Sequence, residues 1–223
     1  MSSNLITLRV WGDNACFTRP EMKVERVSYD IMTPSSARAI LEAIFWKPQM
    51  RWKVKQIDLL KPIQWESVRR NEVGAIVSTR NLLTAMNTGS GNLGMFIEEE
   101  RQQRAGLFLK DVAYTIHAEC ELTEKAGLGD NLSKYLEMFK RRASKGQCFS
   151  QPYLGCREFS AFFELIAEDD LLPKPVQETK ELGWMLYDLD YSDNASPKPL
   201  FFRASIVNGS MKVPSIDSME VRS

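Results

Sequence analysis

Histidine is almost absent from this sequence: His117 is the single one among 223 residues. Cysteine is sparse, and Cys16, Cys120, Cys148 and Cys156 form no C-x-x-C pair. With neither paired thiols nor a second imidazole, no zinc site of the usual ligand spacing is expected, and no other metal or cofactor. Scattered free thiols suit a reducing compartment. No apolar run approaches the roughly 20 residues that a membrane-spanning helix needs. The opening stretch, MSSNLITLRVWGDN, lacks the basic region and long apolar segment of a secretory leader. The expected setting is the cytoplasm, with no membrane partner. Net charge is also missing, since 29 basic residues face 29 acidic ones.

That zero conceals segregation. Residues 1–80 carry a balance of +5, residues 81–132 one of −4, residues 133–157 one of +5, and residues 158–223 one of −6. Two basic zones separated by acidic ones can build a face for phosphate. Here they are expected to fold together into one groove beside His117. Apolar residues make up 43% of the chain, enough for a real core. The length fits one domain with an extension, or two small domains.

Periodicity supplies the elements. Residues 5–11 alternate, with Ile6, Leu8 and Val10 opposite Leu5, Thr7 and Arg9, which predicts a strand. Residues 12–34 read as irregular. Ala37, Ile40, Leu41 and Ile44 form a helical stripe over 35–45, with Thr33 as cap and Pro48 as stop. Residues 50–60 predict a strand that sets Trp52, Val54, Gln56 and Asp58 against Arg51, Lys53, Lys55 and Ile57, with Ile63 and Trp65 continuing it. Residues 78–97, rich in Ser, Thr, Asn and Gly, read as a long loop or hairpin tip. A strand over 105–122 is broken at Lys110-Asp111. A helix over 131–145 buries Leu132, Leu136, Phe139 and Ala143. Strands follow at 159–166, 183–190 and 200–207, and Asn208-Gly209 signals a hairpin turn.

The order strand, helix, strand, strand, helix, strand is the ferredoxin-like order that RNA-recognition modules also use. The expected fold is therefore α+β, a ferredoxin-like β-α-β-β-α-β core with a C-terminal antiparallel β extension. The core spans 1–167 with an inserted loop or hairpin around 66–104, and the extension spans 168–223.

Many short stretches, in order, carry a family resemblance. They are Trp11-Gly12-Asp13, the block ACFTRPEMKVERVSY from Ala15 to Tyr29, and Thr33-Pro34-Ser35-Ser36-Ala37-Arg38. Next come Ile40-Leu41-Glu42-Ala43-Ile44, Trp46-Lys47-Pro48, Arg69-Arg70-Asn71-Glu72-Val73 and Arg101-Gln102-Gln103-Arg104-Ala105. Last are Phe139-Lys140-Arg141-Arg142-Ala143, Gly146-Gln147 and Leu154-Gly155-Cys156-Arg157-Glu158-Phe159. From residue 10 to about residue 207 the chain resembles the type I-C member of the fifth CRISPR-associated family, within the repeat-associated RNA-binding superfamily. Residues 78–97 and 168–181 match least.

The resemblance implies a protein that binds the repeat hairpin of precursor CRISPR RNA and cuts at its base without metal. It would then stay on the 5′ handle, beside the backbone and large subunits of the type I-C interference complex. The family's catalysis is attributed to a polar residue before Trp-Lys-Pro and to a Lys and a His on a mid-chain strand. Here the first position is Phe45, which has no hydroxyl. On the strand, His117 stands where relatives often carry a carboxylate or lysine, and Glu119 stands where they carry histidine. In one reading His117 takes over the acid–base role, with Glu119, two residues on and on the same strand face, orienting the imidazole. In the other, the chain clamps the handle as a scaffold without cutting. The candidates for phosphate contact are Arg19, Lys23, Arg26, Lys47, Arg69, Arg70, Arg101, Arg104, Lys140, Arg141, Arg142 and Arg157. Trp11, Phe17 and Trp46 are candidates for stacking on bases. The aromatic-rich glycine motif of a general RNA-recognition module does not occur on the predicted strands.

Overall fold

The structure, a computed structural model, describes residues 4–91, 93–167, 170–193 and 195–223. The expected domain limits at residues 1 and 168 lie outside the described residues. So does Asn92 within the expected loop.

In chain order the elements are β1 (Leu5–Ala15), α1 (Pro34–Ile44), β2 (Met50–Leu59), β3 (Trp65–Val73), α2 (Thr79–Thr88), α3 (Ile97–Glu100), β4 (Arg101–Leu122), α4 (Leu132–Ala143) and β5 (Phe162–Ile166). A second group follows: β6 (Lys180–Asp190), β7 (Lys198–Ile206), β8 (Ser210–Lys212) and β9 (Val221–Arg222). The main sheet runs β5-β1-β4-β2-β8, with every pair antiparallel. Its first four strands have the order in which a ferredoxin-like core arranges its fourth, first, third and second strands.

Alternation decides what each face holds. Ile6, Leu8 and Val10 of β1 lie on one face with Tyr114, Ile116, Ala118 and Cys120 of β4, and all are buried. Helices α1 and α4 cover that face with Ala37, Ile40, Leu41 and Ile44 from one and Tyr135, Leu136, Phe139 and Ala143 from the other. Trp52 of β2 packs there against Phe139, ring centroids 4.7 Å apart. Thr7, Arg9 and Trp11 point to the opposite face, which carries no helix among the described residues, as do Thr115, His117 and Glu119.

Strand β2 departs from strict alternation. Its pairing with β4 shifts register between Val54 and Gln56. This bulge inserts one residue and reverses the phase of everything after it. Met50, Trp52 and Val54 face the helices, and beyond the bulge Ile57 and Leu59 do so. Gln56 and Asp58 therefore leave the Trp52 face, where simple alternation had put them, and join the face of His117.

The expected 78–97 loop holds a helix instead. Ser78 caps α2 by accepting from the Asn81 backbone N–H at 3.3 Å, and Gly89 ends it. None of its residues is buried, so no apolar stripe marked it in the sequence. It sits between β3 and β4, whose pairing from Trp65↔Leu109 to Val73↔Arg101 forms a two-stranded arm. β3 is a separate strand, not a continuation of β2. β1 runs on to Ala15 through positions expected to be irregular. β4 begins at Arg101 and is continuous through Asp111, where a break was expected. Asp111 does take the left-handed conformation, at φ 50°. β5 begins at Phe162, not at residue 159.

The β6-β7-β9 sheet joins the same core through Met185, Phe202, Ala204 and Ile206. The Arg38 guanidinium on α1 donates to both oxygens of Asp188 at 2.9 Å each. Asn208 and Gly209, both at positive φ, turn β7 into β8, and β8 pairs with β2. The C-terminal segment thus reaches back onto the core sheet.

Candidate active site and nucleic-acid interface

His117 lies in the last third of β4, opposite Thr7 on β1 and Gln56 on β2. Its Nε2 is 2.7 Å from Asp58 Oδ2, and its Nδ1 is 3.4 Å from Thr7 Oγ1. The side chains of His117 and Asp58 are only 13% and 9% exposed. Asp58 also accepts from Ser210 Oγ on β8 and from Gln56 Nε2, both at 2.7 Å on Oδ1. Burial pushes the Asp58 carboxyl up, but the hydrogen bonds from His117, Ser210 and Gln56 outweigh it and hold the group below its ordinary value. A carboxylate only accepts, so the proton between the two side chains belongs to Nε2. In the neutral ring Nδ1 is then a free base beside the Thr7 hydroxyl.

The carboxylate that orients the imidazole is thus Asp58, not Glu119. Glu119 shares the His117 face but pairs with Lys55 at 3.3 Å, across a half-exposed rim. Phe45 lies elsewhere. It is 2% exposed at the end of α1, and its carbonyl accepts from Trp52 Nε1. Its ring meets Tyr135 at 6.1 Å and the Arg142 guanidinium at 5.1 Å. The sheet itself stands between Phe45 and His117.

The basic candidates divide into two groups. Trp46 and Lys47 are exposed beyond α1, and Arg142 donates to the Ile44 carbonyl at 3.1 Å, tying α4 to α1. Arg141 borders a groove of about 450 Å³ with Ser133, Lys134, Glu137 and Met138. Lys140 borders a second groove, of about 460 Å³, with Leu5, Ile6, Leu165 and Leu172.

The other group gathers at the far end of β4. Arg26 and Arg70 both donate to Glu158 at 2.8 Å, and Arg70 lies 4.9 Å from the Phe108 ring centroid. Arg157 is exposed beside them, as are Arg69 and Arg101 on the arm, where Arg104 pairs with Glu72 at 3.4 Å. Arg19 pairs with Asp30 at 3.2 Å and covers Tyr29, while Lys23 is exposed just after the short 3-10 turn at Pro20–Met22. Arg26 accepts the Leu107 N–H at its carbonyl, whereas the α1 end leads to Met50, opposite Leu122. Fifteen residues of β4 separate those positions, roughly 50 Å of strand. The expected single groove is therefore two basic ends of one long strand. Phe17, a stacking candidate, is 2% exposed and belongs to the core.

Sequence reasoning missed Asp58 and Ser210, whose relation to His117 depends on the bulge and on the return of β8. It also passed over a thiol pair. Cys156 Sγ is 3.6 Å from the Cys16 carbonyl, and both thiols approach Thr18 Oγ1. The hydrogen bonds with Cys16 and Thr18, aided by Arg26, hold the Cys156 thiol below its ordinary value, and Cys156 is partly exposed where Cys16 and Cys120 are buried. Burial pushes Cys120 up to about 12. Iodoacetamide at pH 7 should accordingly modify Cys156 in the native protein before Cys16 or Cys120, as read by peptide mass spectrometry. Earlier labelling of Cys16 would contradict this assignment. Among the described residues, no group of three His, Cys, Asp or Glu side chains is placed to hold a metal ion, and no helix is long and apolar enough to cross a membrane.

A family model described as CRISPR-associated protein (Cas_Cas5) matches residues 5–214. The CRISPR pre-crRNA endoribonuclease Cas5d of Mannheimia succiniciproducens is 52% identical over 225 residues, covering 99% of either chain. The protein of the same name from Thermus thermophilus is 42% identical over 227 residues, covering 94% of this chain and 91% of its own. A crystal structure of a CRISPR-associated protein superposes with a TM-score of 0.71 at 20% identity, covering 98% of this chain and 96% of its own. At that identity the likeness bears on the fold alone.

Proposed function

This chain belongs to the Cas5d family of CRISPR-associated proteins, and from that premise we propose that it is an endoribonuclease that matures precursor CRISPR RNA. The supporting observation is 52% identity, over 99% of both chains, with a protein named for that activity. The pairing of His117 with Asp58 favours a cutting enzyme over a scaffold that only clamps RNA.

The reaction proceeds by attack of a ribose 2′-OH on the adjacent phosphorus. The 2′ oxygen forms a bond to phosphorus, the bond to the 5′ oxygen breaks, and the products end in a 2′,3′-cyclic phosphate and a 5′-OH. Nδ1 of His117 takes the 2′ proton, and the leaving oxygen takes a proton from water. Asp58 stabilises the imidazolium so formed and keeps the ring aimed. Exposed arginines and lysines at the two ends of β4 hold the flanking RNA backbone. The protein acts in the cytoplasm, stays on the 5′ handle after cleavage, and joins the backbone and large subunits of a type I-C interference complex.

Purified protein incubated with its repeat RNA in excess EDTA tests this reading. Cleavage should continue, and the upstream product should carry a cyclic phosphate that acid opens. Tight binding with intact RNA would leave the scaffold, and loss of cutting in EDTA would refute the route through 2′-OH attack without metal.

A further inference from the structure

Strand β1 carries a line of side chains on the face without helices. Thr7 lies beside His117, Arg9 follows, then Trp11 beside Phe162 of β5. Thr7 and Trp11 are four residues apart, roughly 13 Å along the strand. Beyond β1, Cys16 donates its N–H to the Leu154 carbonyl, and the loop that follows Leu154 carries Arg157 and Glu158. The line therefore runs from the imidazole toward the basic group around Arg26 and Arg70.

Three observations on this line are unexplained by packing. Trp11 and Phe162 stack with centroids 6.0 Å apart and planes at 23°, yet Phe162 remains 58% exposed. An aromatic pair formed for stability would bury its faces, and this one leaves a face in water. Arg9 lies over Trp11 at 5.0 Å. Its Nε is buried with no hydrogen-bond acceptor, a cost for a charged donor. Its ion pair with Glu164 is long, at 3.6 Å, between side chains 41% and 61% exposed. The other pairs on this face are tighter: Arg51–Glu121 at 2.7 Å, Lys53–Glu121 at 2.6 Å and Lys55–Glu119 at 3.3 Å. Arg9 is thus a cation on this face with donor capacity unmet, and it is the one that lies against the aromatic pair.

We propose that Trp11, Phe162 and Arg9 form a nucleotide platform for single-stranded RNA, in which the aromatic pair stacks on one base and Arg9 binds the adjoining phosphate. Every base has a π face, so such stacking tolerates any sequence. RNA held at Trp11 is led along β1 toward His117, which places the platform beside the reacting bond. The platform rests on the reading of this chain as an RNA-binding enzyme.

Two fluorescein-labelled 10-mers separate its contributions, an oligouridine and an abasic strand with the same phosphates. Wild type should prefer the base-bearing strand. Phe162→Ala should weaken oligouridine binding roughly 5- to 100-fold and abasic binding little, while Phe162→Tyr keeps the preference. Because Phe162 is exposed, thermal melting should show both variants folded. Glu164→Gln, which releases Arg9, should tighten both strands and steepen the dependence on salt. An unchanged preference in Phe162→Ala, in a protein that still cuts repeat RNA, would overturn the platform alone. Failure of wild type to bind either strand or to cut repeat RNA would overturn the enzyme reading and the platform with it.

Discussion

Replacing His117 by alanine should lower the rate of repeat-RNA cleavage by on the order of 10²–10⁴-fold while leaving RNA affinity within a few-fold of wild type. That range is what a positioned acid–base group contributes. The imidazole is 13% exposed, so its loss removes a proton acceptor rather than a broad contact surface. Asp58→Asn should retain the ring but lose the acceptor that fixes its proton on Nε2, costing about 10-fold or more in rate. Glu119→Ala, by contrast, should change the rate little, since Glu119 meets Lys55 and not the imidazole. Single-turnover cleavage at saturating protein measures all three. An unaffected rate in His117→Ala would move catalysis off this strand. Stability supplies a separate readout for Asp58. Its folded carboxyl titrates below its unfolded value, so its contribution is present above about pH 4 and disappears as pH falls through the lowered value. The gap in urea stability between wild type and Asp58→Asn should therefore narrow in acid.

Gly155→Ala should destabilise the fold by roughly 3 kcal/mol, among the larger effects of a single substitution. Gly155 holds φ at 83°, and an added Cβ would lie 2.1 Å from the Cys16 carbonyl oxygen and 2.6 Å from its carbon. Those atoms are backbone of a buried segment and cannot swing aside. The expected drop in melting temperature is roughly 6–12 °C for a chain of this size. The loop would lose its seat against β1, and the hold of Glu158 on Arg26 and Arg70 would loosen with it. Repeat-RNA binding should weaken alongside. A melting temperature within 2 °C of wild type would show that the loop accommodates the change and that its close approach to Cys16 is not what fixes it.

Much of the framework was readable from residue patterns. The stripe of Ala37, Ile40, Leu41 and Ile44 with Thr33 before it gave α1 to within a residue, and Thr33 does accept from the Ser36 N–H. The stripe of Leu136, Phe139 and Ala143 gave α4 to within two residues, although Leu132, expected in that stripe, is only partly buried and Tyr135 is buried beside it. These signals are local, and the apolar residues follow the period of the element they form. Helix α2 left no such trace, since it buries nothing and its sequence mixes helix formers with Asn and Thr. The bulge in β2 was illegible for a related reason. Alternation carries no mark of where its phase slips, so Asp58 read as a residue of the Trp52 face. The partners of His117, Asp58 and Thr7, lie 59 and 110 residues before it, and Ser210, which holds Asp58, lies 93 residues after it, at separations where no sequence period operates. Charge counting found two basic zones but could not see that the fold divides the members of each between the two ends of β4.

Ser210 gives the imidazole's carboxylate one of its three hydrogen bonds, and it belongs to the last short strand laid on the core sheet. The geometry of the acid–base pair is therefore tied to the Asn208-Gly209 turn that delivers this strand. Disturbing that turn would slacken Asp58 and, through it, the aim of the imidazole, although the turn itself touches neither ring nor carboxylate.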